Sequence, residues 1–418
     1  LKQIYLKHYN SRKKCGICSG TNFNQILDLG EQPPSDAFVE NIELISQEIK
    51  FPLRLGLCND CFFVQLLDIV DKEFLFKHYP YMTSASKPIV EHFKKYANEI
   101  YNDYLSSKNE FTVLEIASND GSMLLEFKKL GAKVLGIEPA ENIAKIANEL
   151  GIPTKNSFFS STIAKEITKI ENISVVVANN VVAHVDDLHD FMEGIKILIK
   201  ENGIFIFEVP YLNDLIQKLE FDTIYHEHLS YFGLSPIINL VHQFGLEVFD
   251  IKKQTVHGGT IRVFITKKGN ILQKNSVQKF LDEEHQYGLD KILTYEKFAQ
   301  NVNDLKSDLI EHIIKIKKEK KSLIGYGASA KGTVLLNYCN IDNTILDFIV
   351  DTTPLKQGKF TPGTHIPILP PNEIETKGDG DLILLLVWNY KDEILEKEKL
   401  FRSRGGKFLI PIPKPEIL

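Results

Sequence analysis

The stretch FDTIYHEHLSYFGL (221–234) sets Tyr225, His226, Glu227 and His228 on consecutive positions. A phenol, two imidazoles and a carboxylate can hold a metal, move a proton, or simply line a polar surface turn. The i, i+2 spacing of His226 and His228 suits two ligands on a strand, but no third ligand is evident nearby. A histidine accepts a proton near neutral pH, and an adjacent carboxylate can orient or tune it. Proton transfer is therefore the favoured reading. His184 in NNVVAHVDD, Glu208 and Tyr211 in EVPYL, and His257 and Gly258 in VHGGTIR are expected to converge on the same sheet edge.

A second set of reactive side chains is the pair CGIC (15–18) and CNDC (58–61), 39 residues apart. Each CxxC turn lets two sulfurs meet one ion, and two turns complete a tetrahedral zinc site. Cys15, Cys18, Cys58 and Cys61 are thus expected to hold a structural zinc; a redox dithiol pair is the alternative. With no open ligand position, such a zinc folds the segment and does not catalyse.

The elements that must carry these groups alternate between strand and helix. FTVLEIASNDGSMLLEFKKLG (111–131) reads as strand, turn and helix, followed by strands in AKVLGIEPA, ISVVVANNVV and GIFIFEVPY. This predicts a doubly wound, parallel α/β sheet with ligands at the carboxyl ends of its strands. The first turn, EIASNDG, lacks the GxGxxG that brings a backbone against pyrophosphate. A ligand without phosphates tolerates this better, and S-adenosylmethionine is such a ligand. Glu115, Ala117, Asn119 and Gly121 would flank its methionine part, Glu138 would accept its ribose hydroxyls, and Asn179 would approach the methionine end. Charged helical sequence over about 275–320 leads to a second αβ unit, where SLIGYGASAKGTVLLNY repeats the strand, glycine turn and helix. Backbone amides at that turn, with Lys331, Lys356 and Lys359, suit a phosphate group, and Trp388 and Asn389 are expected in the same cleft. The expected division is a zinc-binding domain over 1–75, a cofactor domain over 76–270 and a C-terminal αβ domain over 271–418.

Length and charge narrow the class. At 418 residues the chain exceeds a single ordinary core, and a net charge of −6 disfavours a nucleic-acid partner. No apolar run approaches a membrane span, and the start LKQIYLKHYNSRKK lacks a signal-peptide core, so a cytoplasmic location is the default expectation.

The ordered set CxxC…CxxC, YPY, EIASNDG, the His-Val at 184–185, EVPYL, YHEH, VHGG, GYGASAKG and DTTPLKQ…TPGTHIP resembles the zinc-containing, S-adenosylmethionine-dependent sugar C-methyltransferases. These include the tetronitrose and mycarose C-3 methyltransferases of deoxysugar biosynthesis. The resemblance spans essentially the whole chain. It implies a nucleotide-linked 4-keto sugar bound between domains; a monomer is the default expectation, and the sequence does not fix the oligomeric state. By motif, Tyr79 matches the first tyrosine of YPY, with Tyr81 on the substrate side. His184 matches the histidine after the fourth strand, and Tyr225, Glu227 and His228 match Tyr-x-Glu-His, with His228 as the base. His226 falls on the variable position and receives no catalytic role. Ala117 stands where many methyltransferases carry glycine. A sugar O-methyltransferase is the nearest alternative; an NAD-dependent nucleotide-sugar enzyme would need the GxGxxG that neither half contains.

Overall fold

The computed structural model describes residues 7–76, 82–200, 202–254, 258–378 and 380–418. Its central sheet has seven strands. In spatial order they are Leu246–Gln254, Thr260–Lys267, Ile204–Pro210, Val175–Asn179, Thr112–Ile116, Lys133–Glu138 and Thr154–Asn156. Five run parallel, while Thr260–Lys267 is antiparallel to both of its neighbours. Thr112–Ile116 is buried along its whole length, the pattern of a strand covered on both faces by helices. The α/β expectation therefore holds, with one correction. The sequence places the last strand of this sheet within 203–211, whereas Leu246–Gln254 and Thr260–Lys267 extend it and make it mixed.

The C-terminal unit is a six-stranded sheet, five strands parallel and the last antiparallel, with Leu323–Tyr326 near its centre. Two helices, Asn275–Tyr287 and Ile292–Lys318, precede it where the periodicity predicted helix. The amino-terminal unit is a four-stranded antiparallel sheet in the order Phe23–Gln32, Phe51–Cys58, Val64–Leu66 and Ser230–Tyr231. Its fourth strand comes from far along the chain, immediately after the YHEH stretch.

The apolar cores do not follow chain order. Phe221, Ile224, Leu229 and Tyr231, which flank YHEH, pack with Leu53 and Val64 of the amino-terminal sheet and with Val334, Leu335 and Trp388 of the C-terminal unit. Cys15, Ile17 and Cys58 instead share a core with Val176, Phe205 and Val263 of the central sheet. Among the described residues no helix is long and apolar enough to cross a membrane.

One ion network ties the sheet to the helix Lys87–Ile100. Arg262, 1% exposed, donates to Glu208 at 2.7 Å and Glu99 at 2.6 Å, and its guanidinium stacks 3.5 Å over Tyr96. His92 lies 2.9 Å from the other Glu208 oxygen. Removing the cation would strand a buried carboxylate. Arg262→Met is thus expected to cost about 3–5 kcal/mol in urea unfolding; an unchanged midpoint would contradict that role.

Candidate functional site

The site is built on three turns. The first follows the strand Thr112–Ile116. Ala117, Asn119 and Gly121 have φ of 52°, 49° and 77°, so alternate residues are left-handed. Gly121 is the residue best suited to this conformation, and Ala117 adopts it in place of glycine. Glu138 braces the turn: Oε2 accepts from Asn119 N at 2.9 Å and Oε1 from Ala140 N at 2.8 Å. Thr83 N donates to Asn119 Oδ1 and Ser84 N to Asp120 Oδ2, each at 2.9 Å, closing the turn from outside. Glu115 is 3% exposed, and burial holds its carboxyl well above the usual range. Glu115 Oε2 and Asn179 Oδ1 are buried with no hydrogen-bond partner among the described residues. Two unsatisfied acceptors at adjacent strand ends are what an ammonium group would complete, so the residues fit the amino-acid end of S-adenosylmethionine. Glu138 keeps lone pairs for ribose hydroxyls beyond the two amides it already accepts.

The second turn, Val182–His184, starts three residues beyond Asn179 and carries His184. Desolvation pushes its imidazole down to about 4, and it is held against the backbone of Asn180 and Glu227. The ring stands nearly perpendicular to that of His228, with centroids 4.8 Å apart.

The third turn is the loop 221–228. His228 Nδ1 lies 2.9 Å from the Thr223 carbonyl oxygen, which cannot donate. The proton of a neutral imidazole therefore sits on Nδ1, and Nε2 carries the lone pair. Tyr225 Oη lies 3.0 Å from that Nε2 and donates to it. Tyr225 is half-buried and His228 is buried. The sequence allows Glu227 either to orient His228 or to grip a sugar hydroxyl; in the structure the Thr223 carbonyl is what meets the His228 ring nitrogen. Glu227 turns the other way, toward Ser35, whose hydroxyl donates to both carboxylate oxygens at 3.0 and 3.1 Å. Burial, with Asp36 nearby, raises the Glu227 carboxyl to about 7.

His226 gains a definite place. It is 1% exposed, its Nε2 meets the Pro52 carbonyl at 3.1 Å, and its ring edge packs on Phe51. It pins the loop to the amino-terminal sheet. Ser230 and Tyr231 then pair with Gln65 and Val64. Ser35, Pro52 and Gln65 had no signal in the sequence, because each acts through backbone pairing or a contact with a residue distant in the chain.

Other expected residues divide. Glu208 is engaged by Arg262 and His92. Tyr211 is buried and donates to Glu284 at 3.0 Å. Lys356 donates to the Ala328 carbonyl at 2.7 Å, and Lys359 lies 3.5 Å from Glu40. The glycine turn at 327–329 differs from the phosphate reading, because Asp351 already accepts from the Ala328 amide at 2.8 Å. Lys331 faces Glu220, 3.9 Å away. Gly258, with φ of 92°, backs the same Glu220, so closely that a Cβ would lie 2.9 Å from its Oε1. Asn389 is half-buried in the turn after Leu382–Leu385. Tyr79, Tyr81 and His257 lie outside the described residues.

The four cysteine sulfurs lie within 4.8 Å of one another, with Cys15–Cys61 at 3.6 Å and Cys18–Cys58 at 3.5 Å. A tetrahedral zinc with ~2.3 Å bonds holds its sulfurs about 3.8 Å apart. Ile17 N and Gly20 N point at Cys15 Sγ and Cys18 Sγ, each at 3.4 Å. The donor set fits structural zinc. Ile17 is fully buried, and its carbonyl accepts from His189 at 2.9 Å and Gln243 at 3.2 Å on the central domain.

A methyltransferase cradle beside a closed cysteine site and a histidine loop defines the class: an S-adenosylmethionine-dependent methyltransferase with a zinc-binding domain. Family models agree along the chain: a proposed zinc binding domain matches residues 15–76, a methyltransferase domain 89–251, and a C-methyltransferase C-terminal domain 255–413. C-methyltransferase NovU of Streptomyces niveus is 33% identical over 407 residues, covering 97% of this chain and 96% of that protein. The chain belongs to this C-methyltransferase family. A ubiquinone biosynthesis O-methyltransferase of Rhodopseudomonas palustris is 35% identical over 106 residues, 24% of this chain and 41% of that one. Among solved structures, a Pyrococcus horikoshii protein aligns over 47% of this chain and 99% of its own, at 15% identity and a TM-score of 0.35, too slight a likeness to carry weight.

Two outcomes follow. The folded Glu227 carboxyl keeps its proton from the unfolded value of ~4.3 up to about 7. The folded state binds more protons in that window, so this group lowers stability as pH rises through it. Glu227→Gln should flatten that fall in a pH series of melting temperatures; an unchanged slope would contradict it. Zinc removal by chelation, tracked by metal analysis, should lower the melting temperature and loosen near-ultraviolet circular dichroism. A metal-free protein with the native melting curve would contradict a structural zinc.

Proposed function

We propose that the chain methylates a carbon of a nucleotide-linked 4-keto sugar, with His228 as general base. The observation that carries this reading is the Nδ1–H bond from His228 to the Thr223 carbonyl, which leaves Nε2 as the accepting nitrogen, where Tyr225 Oη meets it. A carbon beside a ketone becomes a nucleophile when its proton is removed. His228 Nε2 takes that proton, and the negative charge passes to the ketone oxygen. Tyr225 is placed to swing its hydroxyl from Nε2 to this oxyanion, with His184 and Tyr79 as further donors. Because desolvation holds His184 neutral, with its value near 4, it serves as a donor and not as a competing cation. Bound S-adenosylmethionine supplies an electrophilic methyl group; the chain holds its amino-acid end at Glu115, Asn119 and Asn179 and its ribose at Glu138. Transfer is governed mainly by positioning.

The same residues distribute the substrate. Glu227 is freed from tautomer control and is assigned to a sugar hydroxyl, together with Tyr81 and His257. Lys331, Gly258 and Asn389 are assigned to the nucleotide carrier. Glu208 and Tyr211 are kept as residues that hold the walls of this cleft, since their polar atoms already have protein partners. Lys356 supports the carrier side by fixing the Ala328 carbonyl.

His228→Asn should lower turnover ~100-fold or more, as expected for a general base, while calorimetric binding of S-adenosylmethionine stays at the native value. Tyr225→Phe should lower turnover by about 10-fold to 100-fold through loss of an oxyanion donor. Near-native turnover of His228→Asn would reject the assignment of the base.

A further inference from the structure

A buried polar cluster lies between the base loop and the C-terminal sheet, and beyond the Thr223 carbonyl and Lys331 the proposed function gives it no part. Asp222 is fully buried, and Glu220 and Thr223 are nearly so. Trp388, at the end of a C-terminal strand, donates its indole N–H to Asp222 Oδ2 at 2.7 Å. The Lys331 ammonium lies over the Trp388 ring, 4.7 Å from its centroid. Burial raises the Asp222 carboxyl, against the opposing pull of Lys331, the indole N–H and the Thr223 amide.

Asp222 is the middle residue of the three-residue turn Phe221–Thr223. Phe221 packs edge-on against Tyr338, and Thr223 presents its carbonyl to His228. A turn this short has little internal bonding: Thr223 N to Glu220 O and Ile224 N to Phe221 O, each at 3.0 Å. The direction of the Thr223 carbonyl therefore depends on what grips the side chains. The indole N–H on the Asp222 carboxyl, at 2.7 Å, ties the turn to the C-terminal unit. If the carbonyl swings away, the imidazole proton is free to move to Nε2, and the lone pair is lost from the substrate side.

We propose that Asp222, gripped by Trp388, is a positioning residue that fixes the Thr223 carbonyl and through it the working tautomer of His228. The C-terminal domain thereby reaches the base directly. This rests on His228 being the base, so the test separates the two claims.

Trp388→Phe keeps an aromatic side chain at this position and deletes the indole N–H. Nitrogen-15 spectra of the histidine side chains, with His228 identified by its loss in His228→Asn, report which ring nitrogen carries the proton. The native protein is expected to show the Nδ1–H form. Trp388→Phe should show a growing Nε2–H population and a turnover about 10-fold lower, with S-adenosylmethionine binding unchanged and a lower melting temperature, because the buried Asp222 carboxyl loses its donor. Asp222→Asn, whose amide oxygen still accepts the indole N–H, should restore most turnover relative to Asp222→Leu. Asp222→Leu should reproduce the tautomer change and serves as the second arm if Trp388→Phe does not fold. A native tautomer and native turnover in the folded variant would overturn the positioning role alone. Native turnover in His228→Asn would instead remove the base on which it rests.

Discussion

A single hydrogen bond, from His228 Nδ1 to the carbonyl of Thr223, decides whether the loop 221–231 has a proton acceptor to offer. Both groups sit on the same short loop, so the bond is only as well defined as the loop's anchors. Those anchors come from all three parts of the chain. Pro52 and Ser35 of the amino-terminal part hold His226 and Glu227, Trp388 of the C-terminal part holds Asp222, and His184 of the central sheet abuts the loop backbone. Thr333 of the C-terminal part closes the circuit by donating to the Ser35 carbonyl at 2.9 Å. A carbon acid needs its base, its oxyanion donors and its alkyl donor in fixed register, and a loop clamped from three sides supplies that register.

The zinc-binding segment takes on a meaning beyond local stability. Its sheet borrows Ser230 and Tyr231, which follow His228 by two and three residues, as its edge strand. Its first cysteine turn inserts Ile17 into the core of the central domain. Four thiolates on one ion hold the two turns at 15–18 and 58–61 together, and the strand Phe51–Cys58 ends in the second of them. Backbone pairing thus links the cysteine site to the strand that follows His228.

Much of this was legible in the sequence, for physical reasons that differ by residue. The cysteine pairs announce themselves by spacing, because a tetrahedral ion requires it. The strand–turn–helix at 111–131 shows in its buried run and in Gly121, where backbone geometry restricts the residue type. At the glycine turn 327–329 the sequence shows the strand and helix on either side but not Asp351, which accepts from the Ala328 amide and is brought there only by the fold. Of the two tasks open to Glu227, contact with His228 is not the one found: in the turn closed by His228 N on the Tyr225 carbonyl the two side chains have different partners, and a carbonyl five residues back holds the ring. His226, Ser35 and Trp388 were invisible as anchors because their partners lie more than 150 residues away.

The central claim is that this chain makes a carbon nucleophile with its own imidazole before any methyl group moves. The most direct measurement is exchange of substrate hydrogen with deuterium oxide, followed by proton NMR. It would use a nucleotide-linked 4-keto sugar, with S-adenosylhomocysteine in place of the methyl donor. The account predicts loss of the signal from one ring position adjacent to the ketone, at a rate that collapses in His228→Asn. Retention of every ring hydrogen with the native enzyme, for a substrate it methylates on carbon, would contradict it.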